Sequence, residues 1–174
     1  MFFPKFMIMN IDLRRWSLND ADELVLLANN YNIAKFLTDV FPHPYTHDHA
    51  LKFIETVGNE FPQKVFAITL DGKPVGAIGV FPQQDIMRLN AEMGYWVGEK
   101  YWGKGIVSKV IPMMVDYAFD TFDIKRIYAR PFSNNLASQR VLEKSGFILE
   151  ARIEMNIIKY NEILDELIYA YRRN

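Results

Sequence analysis

Apolar and polar positions change period repeatedly along the chain. Ile8 to Leu13 reads as a strand behind a short apolar arm, MFFPKFMIM. Asn19-Asp20-Ala21-Asp22 places a side-chain oxygen three residues before a carboxylate, an arrangement that starts helices. Leu24, Leu27, Ala28 and Tyr31 then repeat at helical spacing. Phe41-Pro42-His43-Pro44-Tyr45 is a loop, since neither proline serves a helix interior. Thr46 caps a second predicted helix with apolar positions Ala50, Leu51, Phe53, Ile54 and Val57. Val65–Leu70 and Val75–Phe81 flank Asp71-Gly72, a strong hairpin signal.

Ala91–Val97 is a further strand, and Gly103 and Gly105 mark a turn after it. From Ile106 to Phe119 the pattern is helical, with Val107, Val110, Ile111, Met114 and Ala118 on one stripe. Pro112 interrupts it, removing a bond to the Ser108 carbonyl at a cost of about 3 kcal/mol unless the helix kinks. Arg126–Arg130 is a strand. Asn135 caps a helix through Lys144, and Gly146 closes it. Phe147–Ala151 returns to extended structure, and Arg152–Arg172 reads as two long strands around a turn near Asn161. The expectation is a mixed α/β layout on one core, a single domain over residues 1–174.

Composition narrows the chemistry. The chain has 174 residues, 20 Lys+Arg against 21 Asp+Glu, and a formal net charge of −1, so it is no generally basic nucleic-acid coat. It has 0 Cys, which excludes disulfides, Cys-ligated metals and an acyl-cysteine intermediate. No apolar stretch approaches the roughly 18 residues of a membrane span. Pro4 and Lys5 break the N-terminal arm, and no small-residue cleavage site follows it. A cytoplasmic location is therefore expected, without nucleic-acid or membrane partners; a homodimer is compatible with the sequence.

The densest chemistry lies from Ala91 to Ser108, where a strand feeds a glycine-rich loop that opens a helix. Glycines let backbone approach a ligand, and a helix start offers unpaired N–H groups to a phosphate. The bland alternative is a tight turn with no ligand. Gly98 to Gly105 also spells a near P-loop, but Gly105 stands where the Mg²⁺-holding Ser/Thr belongs. Lys100-Tyr101-Trp102-Gly103-Lys104-Gly105 instead matches Q/R-x-x-G-x-G/A, with Lys100 in place of Gln/Arg.

That motif resembles the GNAT superfamily of N-acetyltransferases. Pro44-Tyr45-Thr46, Ala91-Glu92-Met93-Gly94-Tyr95-Trp96, Asn135-Leu136-Ala137-Ser138, Glu143-Lys144-Ser145-Gly146-Phe147 and Asp165-Glu166-Leu167-Ile168-Tyr169 are similar to its RimJ/RimL-like branch, in the right order along essentially the whole chain. The resemblance implies a central, mostly antiparallel twisted sheet flanked by helices, and acetyl-CoA as cosubstrate. Backbone groups from Gly103, Lys104, Gly105, Ile106 and Val107, with Ser108 and Lys100 nearby, would hold the pyrophosphate. Tyr95, Trp96 and Val97 would bond the pantetheine arm like an added strand, and Asn135 resembles the family's pantetheine-binding asparagine. The family splays this strand from its neighbour; spacing alone does not show that.

Glu92 is the candidate base: strand alternation puts it on one face with Gly94 and Trp96, and the family uses carboxylates there. A solvent-facing or ion-paired carboxylate is the plain alternative, and Glu154 is the second candidate. Ser138 is the candidate donor to the CoA sulfur, against a plain first-turn capping role. The tyrosine that many members use further along this helix reads Leu142 here. Asn135 also reads as a simple helix cap. Phe41, Tyr45 and Tyr160 are candidate walls of the acceptor pocket. His43, His47 and His49 do not have the spacing of a metal site. The expected activity is transfer of acetyl to a primary amine, either a protein N-terminus or a small amine. A non-catalytic CoA-binding module and a MgATP-binding loop are the competing readings.

Overall fold

The computed structural model describes residues 10–173. The apolar arm, with Ile8 and Met9 of the first expected strand, lies outside them. Among the described residues, seven strands form one sheet in the order β1-β2-β3-β4-β5-β7-β6. They are β1 Ile11–Arg14, β2 Val65–Leu70, β3 Lys73–Pro82, β4 Asn90–Val97, β5 Arg126–Ala129, β6 Ile148–Lys159 and β7 Glu162–Arg172. The helices described with it are α1 Ala21–Ala28, α2 Tyr31–Ala34, α3 His47–Gly58, α4 Ile106–Thr121 and α5 Leu136–Lys144. Every neighbouring pair is antiparallel except β4–β5. No helix among the described residues is long and apolar enough to cross a membrane.

Strand alternation divides the core between the two faces of the sheet. Ile68, Ile78, Val80, Met93 and Ile127 meet Ile106, Val110, Ile111 and Met114 of α4 and Leu142 of α5 on one face. Ala67 and Ala77 meet Leu24 and Ala28 of α1 and Ala50, Ile54 and Val57 of α3 on the other. With helices on both sides, β3 is buried continuously from Pro74 to Val80. Pro112 lies within α4 on an exposed position, where water can reach the orphaned Ser108 carbonyl.

Three local readings change. The helix-start box belongs to Ser17 and Asp20, not to Asn19 and Asp22: the Ser17 side chain accepts from Asn19 N, and Ser17 N donates to Asp20 Oδ2 at 2.9 Å. A short 3₁₀ turn, Leu18–Asp20, therefore precedes α1. Tyr31 starts the separate helix α2 and is exposed, because α1 ends at Ala28. The extended segment expected at Phe147–Ala151 begins at Ile148 and is one strand, β6, with the first of the two long strands; its register shifts twice against β7.

Asp20 is buried and holds Arg14 in a two-point fork, at 2.7 and 2.8 Å. Burial pulls its carboxyl up, but the Arg14 fork and the Ser17 N–H outweigh that and hold it below the usual range. Its contribution is thus present above about pH 4 and lost as pH falls through the lowered native value. Asp20→Asn should cost about 1–2 kcal/mol at neutral pH. The gap to wild type should close as pH falls toward about 2, well below the usual carboxylate range. Urea unfolding at both pH values checks this.

Candidate active site

The turn between β4 and α4 is tied down at several points. Gly98 N donates to Val75 O at 2.8 Å, the last rung between β3 and β4. Glu99 accepts from Asn30 and Asn32 at 2.7 and 3.0 Å, and these two side chains hold its carboxyl below the ordinary range. Lys100 Nζ pairs with Glu23 of α1 at 3.1 Å, so its side chain is turned to α1, leaving only its backbone for the loop's ligand. Trp102 Nε1 donates to Val97 O at 2.7 Å and folds the loop back on its own strand.

Gly103 and Gly105 follow in the left-handed region, at φ +72° and +70°, where side chains are strained. A Cβ on either would meet nothing within 4 Å. They deliver the chain to an α4 start that has neither a side-chain cap nor an acidic residue in its first turn. Thr46 and Asn135, by contrast, cap α3 and α5 with their side chains. Among the described residues, the amides of Ile106, Val107 and Ser108 find no acceptor beyond the helix, and they lie at the positive end of its dipole. Lys104 adds a cation beside them, its ammonium 5.2 Å from the Tyr101 ring. This cradle fits a diphosphate.

The strands part next to it. β4 pairs with β5 only over Asn90–Glu92 against Arg126–Tyr128. The chain after β5 stays with β7 instead: Leu167 N donates to Pro131 O, and Ser133 N to Asp165 O. From the Gly98–Val75 bond, strand alternation turns the backbone of Gly94 and Trp96 to β3, and that of Met93, Tyr95 and Val97 to the open side. Trp102 already occupies the Val97 carbonyl. The open edge thus offers Met93, Tyr95 and the Val97 N–H; the Trp96 backbone, expected there, is engaged with β3.

Different chemistry stands on the two faces of this edge. On the α4/α5 face, the Tyr95 hydroxyl lies 2.8 Å from Ser138 Oγ. Burial pushes the Tyr95 phenol up to about 12, against a smaller opposing effect of Ser138. Asn135 Oδ1 accepts from Ser138 N at 3.2 Å, so the capping role expected of Asn135 is realised and its amide nitrogen remains for another partner. On the opposite face, Glu92 is clasped by Arg130, with Nε–Oε1 at 3.0 Å and Nη2–Oε2 at 3.2 Å. Arg130 also reaches buried Glu166 at 3.1 Å, whose second oxygen accepts from Asn156 at 2.7 Å. Gly94 lies between Glu92 and Trp96 along this face, exposed, and a Cβ there would meet nothing.

Among the expected pocket walls, Phe41 packs on Trp96 and Tyr45, at ring separations of 5.8 and 5.2 Å. Tyr160, at the β6–β7 turn, packs on Tyr31. Glu154 is exposed on β6. His47 pairs with Asp22, and His49 completes the Thr46 cap. The sequence reading missed Arg130, Glu166 and the bonds of Trp102 and Tyr95. The W-G-K-G string marked Trp102 as part of the turn, but nothing local signals that Arg130 faces Glu92 38 residues away.

Comparison with known proteins fits this geometry. A model of the acetyltransferase (GNAT) domain matches residues 10–148. The probable N-acetyltransferase YjcK of Bacillus subtilis is 33% identical over 96 residues, 55% of this chain and 52% of that protein, so this alignment spans about half of its length. The putative ribosomal N-acetyltransferase YdaF of B. subtilis is 24% identical over 92% of this chain and 89% of its own. Among solved structures, the microcin C7 self-immunity acetyltransferase MccE, in complex with acetyl-CoA and AMP, superposes with a TM-score of 0.81 at 27% identity, covering 94% of this chain and 92% of that one. The chain belongs to the GNAT acetyltransferase family, and its similarity to ribosomal-protein acetyltransferases is consistent with the expected RimJ/RimL-like branch. It is an acetyl-CoA-dependent N-acetyltransferase, which displaces the readings as a non-catalytic module and as a MgATP-binding loop.

Trp102→Phe keeps the ring and removes one donor. It should destabilise the protein by about 1 kcal/mol and speed hydrogen exchange at the amides of the 98–106 loop while leaving α3 unchanged. Exchange mass spectrometry reads both.

Proposed function

We propose that this chain transfers acetyl from acetyl-CoA directly to the α-amino group of a protein N-terminus. The parting of β4 from β5, with a carboxylate on one face of the gap and a hydroxyl pair on the other, supports direct transfer. The α4 amides with Gly103, Lys104 and Gly105 hold the diphosphate, and the Met93, Tyr95 and Val97 edge takes the pantetheine amides. The amine approaches over Gly94 on the Glu92 side. Its nitrogen bonds to the thioester carbonyl carbon as the C–S bond breaks. Glu92 takes the proton the amine gives up, directly or through one water. The sulfur leaves toward Ser138.

A serine hydroxyl is a far weaker acid than a thiol of ordinary pKa about 8.5, so Ser138 hydrogen-bonds the departing thiolate without surrendering its proton. Arg130 occupies one lone pair on each Glu92 oxygen and leaves others for the acceptor; a carboxylate offers roughly four such sites.

Charge favours a peptide over a polyamine. Glu92, Glu150 and Glu166 on this part of the sheet are matched by Arg126, Arg130 and Arg172. A polycation finds little excess negative charge here, whereas a single amine needs only the Glu92 acceptor sites that Arg130 leaves free. The name of YdaF, a putative ribosomal N-acetyltransferase, points the same way.

A seryl-initiated peptide should be acetylated with kcat/KM at least about tenfold above spermidine, a difference of roughly 1.4 kcal/mol. The reverse ranking, in a thiol-release assay with both amines, would sink the acceptor assignment. Glu92→Gln should lower kcat about 10²-fold with acetyl-CoA affinity unchanged; an unaltered rate across pH removes Glu92 from proton transfer. Gly94→Val should raise the peptide KM about tenfold by filling the approach to the strand. Its Tm should not fall, because an added Cβ meets nothing within 4 Å and no left-handed φ opposes a side chain there.

A further inference from the structure

We propose that Tyr95 is a positioning residue that aims the Ser138 proton at the departing sulfur, an inference that rests on the acetyl-CoA site described above. Ser138 has one hydroxyl proton and two lone pairs, and Tyr95 has one proton of its own. Their oxygens are 2.8 Å apart, so one of the two donates.

Two observations set the direction. Among the described residues, the only other acceptor within reach of the Tyr95 hydroxyl is the Ser138 carbonyl, at a long 3.4 Å. If Ser138 donated to Tyr95, the phenolic proton would keep only that poor contact in a half-buried place, where an unmet donor is costly. If Tyr95 donates to Ser138 Oγ, the phenol uses its short contact and the serine proton is released for a third partner. Burial also keeps the phenol protonated at neutral pH, with its pKa near 12, so it serves as a donor throughout the working range.

The third partner follows from the fold. Ser138 lies in the first turn of α5, its N–H tied to Asn135 Oδ1, so the residue is held by its backbone at one side and by Tyr95 at the other. Tyr95 rises from the half of β4 that has lost its β5 neighbour. The pair therefore links the two walls of the gap, and the free Ser138 proton is at the place where the sulfur would leave. Alternation puts Tyr95 on the face opposite Glu92, so the donor set for the leaving group and the base for the entering amine do not compete.

The test uses Tyr95→Phe, Ser138→Ala and the double variant in the full chain, with two readouts. Acetylation of the seryl-initiated peptide should fall about tenfold in kcat for each single variant, with KM for acetyl-CoA within about twofold. The double variant should be no slower than Ser138→Ala, since the two hydroxyls act as one unit. Losses that multiply to about a hundredfold would show independent roles and overturn the proposal, as would wild-type kcat in Tyr95→Phe.

The second readout needs no acceptor. Ultraviolet absorbance of the thiolate of bound CoA should titrate about one unit higher in Tyr95→Phe than in wild type, and equally higher in Ser138→Ala, because a lost hydrogen bond to the charged form raises the pKa. A purely structural Tyr95 leaves that titration unmoved, which overturns the proposal while CoA still binds. Failure of the wild-type chain to bind CoA overturns the acetyl-CoA site itself, and the role of Tyr95 with it.

Discussion

The site depends on a shortfall of hydrogen bonds. β4 and β5 share a parallel pairing of three residues on each strand, after which each strand keeps its other neighbour. β4 runs on beside β3 to Gly98, while the segment after β5 follows β7 through Pro131 and Ser133. The sheet is thus two antiparallel blocks joined by a narrow seam. Backbone groups beyond the seam need partners, and the fold leaves them open in a wedge instead of closing it. Everything with chemical potential stands around that wedge: the uncapped start of α4 at its mouth, Tyr95 and Ser138 on one side, Glu92 and Arg130 on the other.

Where information is local, the sequence carries it. Asp71-Gly72 joins β2 to β3 because an Asp-Gly pair tolerates the positive φ that both residues adopt. Gly103 and Gly105 marked the turn into α4 for the same reason, and Thr46 and Asn135 were readable as caps because a cap needs only its own first turn. The error at Asn19 arose from two overlapping patterns four residues wide. Ser17-to-Asp20 won because Asp20 also meets Arg14, a partner outside the pattern.

Contacts across the sheet were not legible. That Glu92 faces Arg130, that Arg130 also reaches Glu166, and that Tyr95 meets Ser138 all depend on which strands become neighbours and in which register. A one-residue slip would move the strand residues Glu92, Tyr95 and Glu166 to the other face. The parting of the strands was likewise invisible in the spacing and was implied only by the family resemblance, since Ala91–Val97 and Arg126–Arg130 look like ordinary strands; it results from a competition that β7 wins. The periodicity of the chain supplied the parts, and long-range pairing decided which parts became a site.

The narrow seam bears on how the protein holds together while it works. An extended amide-bearing molecule lodged in the wedge stands in for the missing length of strand, with one block on each side of it. The donor is then mortar as well as reagent. On the proposed binding mode, each turnover would remove and replace a piece of the wall, and the two blocks would rely on the short parallel join to stay aligned in the interval.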